Sequence, residues 1–170
     1  MKGGEKMTVQ KITPFLWFDN QAKEAMEFYT SVFKNSKIVS ILYYPKGSQE
    51  EHLKGMEGKV LTGIFELDGV RFMCLDGGPI FKFNESVSLY VECDGQEEVD
   101  YFWEKLSAVP VSEQCGWLKD KFGVSWQIIP KQMDSILAGP DKEGAARAMH
   151  AMMQMKKIDL AKLQEAYENA

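Results

Sequence analysis

The chain has 170 residues, 45% of them hydrophobic, and a formal net charge of −5, which is enough to bury a core in one compact domain plus an appendage. Neutralising phosphates needs clustered Lys and Arg, and the 20 basic residues are scattered among 25 acidic ones, so a nucleic-acid partner is excluded. The polar start Met1-Lys2-Gly3-Gly4-Glu5-Lys6 lacks an apolar signal core and no 18-residue apolar run follows, which predicts a cytoplasmic protein without membrane contact.

In chain order, the apolar run Ile12 to Phe18 predicts a strand. Asp19 or Asn20 can cap a helix from about Gln21 to Phe33, whose apolar positions Ala25, Phe28 and Val32 recur at helical spacing. Lys37 to Tyr44 reads as a strand stopped by Pro45, followed by a polar, glycine-punctuated loop from Lys46 to Gly58. Lys59 to Leu67 and Val70 to Leu75 form a hairpin around Asp68-Gly69, a dipeptide that tolerates positive φ. The stretch Asp76 to Asn84, with Gly77-Gly78-Pro79, is punctuation: a linker and not a domain boundary if the two halves share a sheet system. A strand from Val87 to Cys93 and a helix from Gln96 to Leu106 follow, then short strands around Glu113–Cys115, Trp117–Lys119 and Val124–Ile129. Beyond Pro130 three helices are predicted: Gln132–Leu137, one capped by Asp141 running to about Lys156, and one capped by Asp159 running through Tyr167.

This order repeats. Asp19-Asn20-Gln21 closes one strand and opens a helix, and about 75 residues later Asp94-Gly95-Gln96 does the same. The closing strands begin at Gly69-Val70 and Gly123-Val124, about 54 residues apart, so the second copy has lost roughly twenty residues internally. Two strand-helix-strands units with pseudo-twofold symmetry offer a cleft for a small molecule. The fold class is therefore α+β, built from a duplicated strand-helix-strands module. A single domain spans 8–130, with modules 8–78 and 84–130, and 131–170 forms a C-terminal helical extension.

Particular residues carry a family resemblance. Ile12-Thr13-Pro14-Phe15-Leu16-Trp17-Phe18, Ala25-Met26-Glu27-Phe28-Tyr29, Gly77-Gly78-Pro79 with Phe83-Asn84-Glu85, and Trp117 through Gln127 closely resemble the PhnB-like group, as does Met155-Lys156-Lys157-Ile158-Asp159 in the tail. That group belongs to the vicinal oxygen chelate superfamily, with glyoxalase I, extradiol dioxygenases and bleomycin-resistance proteins. The resemblance implies paired βαβββ modules completed as a homodimer. The group is also labelled 3-demethylubiquinone-9 3-methyltransferase, yet no glycine-rich strand-turn-helix for a nucleotide-like cofactor is visible, because no helix pattern follows Gly77-Gly78-Pro79.

Enzymes of the superfamily hold a divalent metal through His, Glu or Gln on the first and last strands of their modules. Here the two histidines, His52 and His150, fall in the polar loop and the tail helix. The first strands offer Thr13 and Ser88, and the closing strands Arg71 or Met73 and Gln127. Gln127 lies where the superfamily has its last-strand ligand, but one Gln cannot hold a metal. Cys74, Cys93 and Cys115 lack the C-x-x-C spacing of zinc sites and read as reduced thiols. Neither a metal nor a cofactor is expected, and no residue is nominated as catalytic.

What remains is aromatic. Phe15 and Trp17 share one face of the first strand, Phe72 and Trp126 occupy matching places on the closing strands, and Tyr90 and Trp117 lie nearby. These six with Gln127 are the candidate pocket lining, although such side chains serve a core equally well. The leading reading is a PhnB-like protein that binds a small organic molecule in an aromatic-lined cleft, as a homodimer, without a tightly bound metal. The alternatives are a metal-dependent glyoxalase or dioxygenase with Gln127 and Glu66 as ligands, a methyltransferase, and an interaction module whose cleft is filled by its own side chains. The Met-rich tail around Met149 and Met152 is expected to join the dimer interface.

Overall fold

The computed structural model describes residues 10–47 and 49–169. The polar start, the first residues of the first module and Ser48 of the long loop lie outside them. The described chain forms two compact units, one ending at Lys82 and the other beginning at Phe83. Each has its own sheet, so the two halves do not share a sheet system.

In the first unit, β1 (Phe15–Phe18), β2 (Lys37–Tyr43), β3 (Val60–Leu67) and β4 (Val70–Asp76) form a sheet of order β1-β4-β3-β2. β1 runs parallel to β4 and the other pairs are antiparallel. Helix α1 (Ala22–Val32) crosses between the parallel strands. Its apolar residues repeat every three to four positions, so Ala22, Ala25, Met26, Tyr29 and Val32 make one buried stripe. That stripe packs on one sheet face: Tyr29 stacks on Phe65, Phe65 stacks on Phe72, and Met26 fills the space over Gly63 beside Cys74. The hairpin turn has φ of 47° at Asp68 and 78° at Gly69, the two positive values that a two-residue turn between twisted strands requires.

Neither Asp19 nor Asn20 caps α1. Gln21 stands at the N-cap without a side-chain bond, and the amide of Ala22 instead donates to Asp76 Oδ1 at 2.9 Å. Asp76 Oδ2 accepts the Val60 amide, also at 2.9 Å. A carboxylate 3% exposed therefore joins the end of β4 to the helix start and the start of β3.

In the second unit, β5 (Ser88–Cys93), β6 (Trp117–Lys119) and β7 (Ser125–Pro130) form a sheet of order β5-β7-β6. β5 runs parallel to β7, and α2 (Gln96–Leu106) connects across them. The registers of the two units superpose: the Gly77 amide donates to Phe18 O as the Lys131 amide donates to Cys93 O. The missing residues of the second copy are those of an outer strand. Where β2 would lie there is a 3-10 turn, Pro110–Ser112, and one isolated bridge between Gln114 and Trp117. The strand expected at Glu113–Cys115 is thus a tight turn, with Cys115 and Gly116 both at positive φ. The buried side chains of this unit include Val99, Leu106, Leu118, Trp126 and Ile128.

The tail forms α3 (Gln132–Leu137), α4 (Lys142–Met153) and α5 (Leu160–Glu168). Asp141 and Asp159 cap the last two as the sequence indicates, accepting the amides of Glu143 and Lys162. α4 ends at Met153, short of Lys156. The tail belongs to the second unit, where Ile158 and Leu163 pack on Ile129 with Met133, Ile136, Met152 and Met155 around them. Met152 is therefore partly buried within its own chain, leaving Met149 and Met153, 45% and 50% exposed, as the apolar side chains α4 offers to solvent. Among the described residues no helix is long and apolar enough to cross a membrane.

Candidate functional site

Successive residues of a strand point to opposite sides of the sheet, so the registers sort the candidates by face. In the first unit, Phe15 pairs with Met73 and Trp17 with Leu75, whereas Phe72 lies on the opposite face against Phe65. Phe72 thus belongs to the core beneath α1 and does not share a surface with Phe15 and Trp17. In the second unit, Trp126 and Leu118 pair on the buried side. Trp126 is 2% exposed, and its indole N–H donates to Asp120 Oδ2 at 2.8 Å. Phe72 and Trp126 do occupy matching register positions, and both are core.

The other three candidates come together. Tyr90, Gln127 and Trp117 are register partners across β5, β7 and β6 and form one transverse row on the face opposite Trp126. Gln127 stands at its centre, and its Nε2 donates to Ser88 Oγ at 2.8 Å. Ser125, the next residue on this face, is 2% exposed, and its hydroxyl has no hydrogen-bond partner among the described residues. Lys119, beside Ser125, is held by Glu85 at 2.5 Å. Tyr90 is 54% exposed, and partial desolvation, helped by the charges of Asp134 and Glu92, raises its phenol above the ordinary range.

The tail walls this row. The amides of Cys115 and Gly116, immediately before Trp117, donate to Met155 O and Lys156 O at 2.8 Å each. Gln96 at the start of α2 grips the same segment, donating to Ile158 O and accepting from the Leu160 amide. Ile129, two residues beyond Gln127 on the same face, lies under the tail cluster.

Trp17 has a built seat on the first unit. Its indole N–H donates to Gly78 O at 2.9 Å, and Phe81 meets its ring edge-on with centroids 5.0 Å apart. A Cβ on Gly77 would lie 2.1 Å from the Trp17 ring, so only glycine fits beneath it. The Gly77-Gly78-Pro79 punctuation thus holds an aromatic side chain.

Two features of the second unit stand outside the sequence-based expectations. Asp120, 0% exposed, accepts the amides of Phe122 and Val124 through Oδ1 as well as the Trp126 indole. An Asp followed two residues later by a turn and then a strand is a recognisable turn signal. The Gln127–Ser88 bond, in contrast, joins residues 39 apart and only the strand register reveals it.

Metal ligation fits these residues poorly. The two positions that would supply ligands in the second unit are Gln127 and Ser88, joined by a hydrogen bond, and a neutral carboxamide with a hydroxyl makes a weak donor set for a divalent ion. Glu66, the other proposed ligand, pairs with Lys37 at 3.6 Å in the first unit. Among the described residues no three of His, Cys, Asp and Glu come together in a set that could hold a metal ion. Burial pushes the thiols of Cys74 and Cys93 up to about 12, which makes them poor nucleophiles.

A strand, a helix and a meander closing parallel to the first strand, followed by an abbreviated copy, define a mixed α+β protein of the glyoxalase-like kind. Residues 10–129 match the 3-demethylubiquinone-9 3-methyltransferase family, and the chain belongs to that PhnB-like family. A PhnB protein from Bacillus cereus is 43% identical, with a TM-score of 0.60 over 71% of this chain and 99% of its own. A protein from Staphylococcus aureus is 33% identical over 71% of this chain and 96% of its own, with a TM-score of 0.33. Protein PA1353 from Pseudomonas aeruginosa, 18% identical over 71% of this chain and 97% of its own, shares the fold at a TM-score of 0.54. No curated protein matches the chain. The family match ends at residue 129, so the tail segment Met155-Lys156-Lys157-Ile158-Asp159 lies beyond it.

Proposed function

We propose that this PhnB-like protein binds a small organic molecule on the aromatic face of its second sheet, without a tightly held metal. The observation that carries the reading is the row Tyr90–Gln127–Trp117, in which a carboxamide bonded to Ser88 sits between two amphipathic aromatic rings. Rings of this kind grip a planar body and a few fixed polar groups orient it. The tail supports the reading by fixing the turn from which Trp117 projects. The rigidly seated Trp17 with Phe15, 49% exposed, gives the first sheet an aromatic surface of its own.

Elemental analysis and calorimetry test this directly. Purified protein should carry no stoichiometric Zn, Ni, Fe or Mn after mild chelation, and S-adenosylmethionine should give no saturable heat. About one retained ion per chain would favour a metal-assisted enzyme, and a micromolar dissociation constant for S-adenosylmethionine would favour methyl transfer. A homodimer also belongs to this reading, supported by exposed apolar side chains on β2, among them Val39, Leu42 and Tyr43 at 46%, 59% and 42%. Chain-weight measurement in solution tests it.

A further inference from the structure

We infer that Ser88, Gln127 and Ser125 form a polar slot that reads an uncharged carbonyl-type oxygen on a planar ligand, an inference that rests on the binding face proposed above. Register places the three side chains on one face, with Ser88 beside Ser125 and Gln127 one step along β7. Gln127 uses one amide hydrogen on Ser88 Oγ, and a primary amide has two. Ser88, accepting there, keeps its own hydroxyl proton to donate, and the Ser125 hydroxyl has no partner among the described residues. The free hydrogens of Gln127, Ser88 and Ser125 are thus all available to an acceptor oxygen that enters the slot.

Charge decides the kind of acceptor. Lys119, the register neighbour of Ser125, is neutralised by Glu85, and Glu92 on the same strand as Tyr90, with Asp134 close enough to act on the Tyr90 phenol, makes the surroundings acidic. Among the described residues the nearby cations Lys119 and Lys131 are paired with Glu85 and Asp94, so a carboxylate would meet net repulsion that a neutral carbonyl would not. The burial of Ser125 adds a constraint of size: only a small group that enters the side-chain layer reaches its hydroxyl. An orphaned buried hydroxyl costs stability, and such a cost is retained where binding uses the group.

The inference is tested by NMR on the full ¹⁵N-labelled chain, titrated with acetophenone, ethylbenzene and benzoate. Acetophenone should shift the Gln127 side-chain amide and the Trp117 indole N–H saturably, about 10-fold more tightly than ethylbenzene, the factor a single well-placed hydrogen bond supplies. Benzoate should bind more weakly than acetophenone. Ser125→Ala should bring acetophenone to within about 2-fold of ethylbenzene, leave ethylbenzene unchanged and leave the melting temperature equal or higher. Ser88→Ala should weaken acetophenone selectively in the same way. Equal binding of acetophenone and ethylbenzene at Trp117, or tightest binding of benzoate, would overturn the carbonyl slot while the aromatic face stands. A Ser125→Ala protein that melts markedly lower would also overturn it, because the hydroxyl would then have a structural partner. If no probe shifts Trp117, the binding face itself falls.

Discussion

The two sheets share one register and differ in what they place on it. In the first unit the central row on the face away from α1 is Phe15, Met73 and Ile64; in the second the same positions carry Tyr90, Gln127 and Trp117. An apolar row has thus become one with polar tips and a carboxamide at its centre. The first sheet keeps an outer strand that the second lacks, and the second gains a three-helix tail that packs on Ile129. Architecture and chemistry vary separately here: the crossover and the buried core persist while the far face changes.

The tail is the largest asymmetry, so its removal should have the largest effect. Deleting 141–170 uncovers Ile129 and takes away Ile158, Leu163 and the backbone bonds to Cys115 and Gly116. Loss of two fully buried aliphatic side chains and their contacts is expected to cost about 4 kcal/mol or more. Hydrogen exchange should accelerate first in β5–β7 and leave β1–β4 protected. A truncated chain that stays equally stable would make the tail a mere appendage.

Next comes a device the units share in kind. Asp120→Ala leaves two amides and an indole N–H without their acceptor, and Asp76→Ala leaves two amides. Each substitution should cost about 3 kcal/mol in denaturant unfolding. A loss below about 1 kcal/mol for either would mean that its unit does not depend on the buried carboxylate.

Gly77→Ala sharpens the contrast between a seated tryptophan and a presented one. The new Cβ collides with the Trp17 ring, so near-ultraviolet circular dichroism should change, with a stability cost of about 2 kcal/mol. Trp117→Ala should do the reverse, losing about 10-fold or more in affinity for aromatic ligands, as alanine substitution at a well-packed aromatic contact does, with less than about 1 kcal/mol lost in stability. The two variants together separate aromatic residues that support from those that bind.

The smallest effect concerns the thiols. At pH 8 alkylation should reach the partly exposed Cys115 and spare buried Cys74 and Cys93 until the chain unfolds. Both buried thiols sit at about 12 in the fold against an ordinary value near 9. The unfolded chain therefore releases these protons first, and the stability associated with keeping them neutral is complete below pH 9 and lost as pH rises towards 12.

Most of the fold was legible in the sequence because strand and helix periods, turn dipeptides and caps are local. The Asp68-Gly69 turn, the Asp141 and Asp159 caps and the shortened second copy all follow from neighbouring residues. The site was legible only in part. Face assignment depends on register, so Phe72 and Trp126 looked equivalent to Phe15 and Trp17 until the pairing put them on the helix side. The cap of α1 comes from Asp76, 54 residues beyond Ala22, and no local pattern could have replaced Asp19 with it. Likewise Gly77-Gly78 read as punctuation because the ring it seats lies 61 residues before the Gly78 carbonyl.

The central claim, that the far face of the second sheet is the ligand face, is tested most directly by soaking crystals of the full chain with a library of small aromatic fragments. Bound fragments should gather over Tyr90, Gln127 and Trp117, stacked on the rings and hydrogen-bonded beside Ser88. Fragments that bind elsewhere while this row stays bare, or a metal ion coordinated at Gln127, would contradict it.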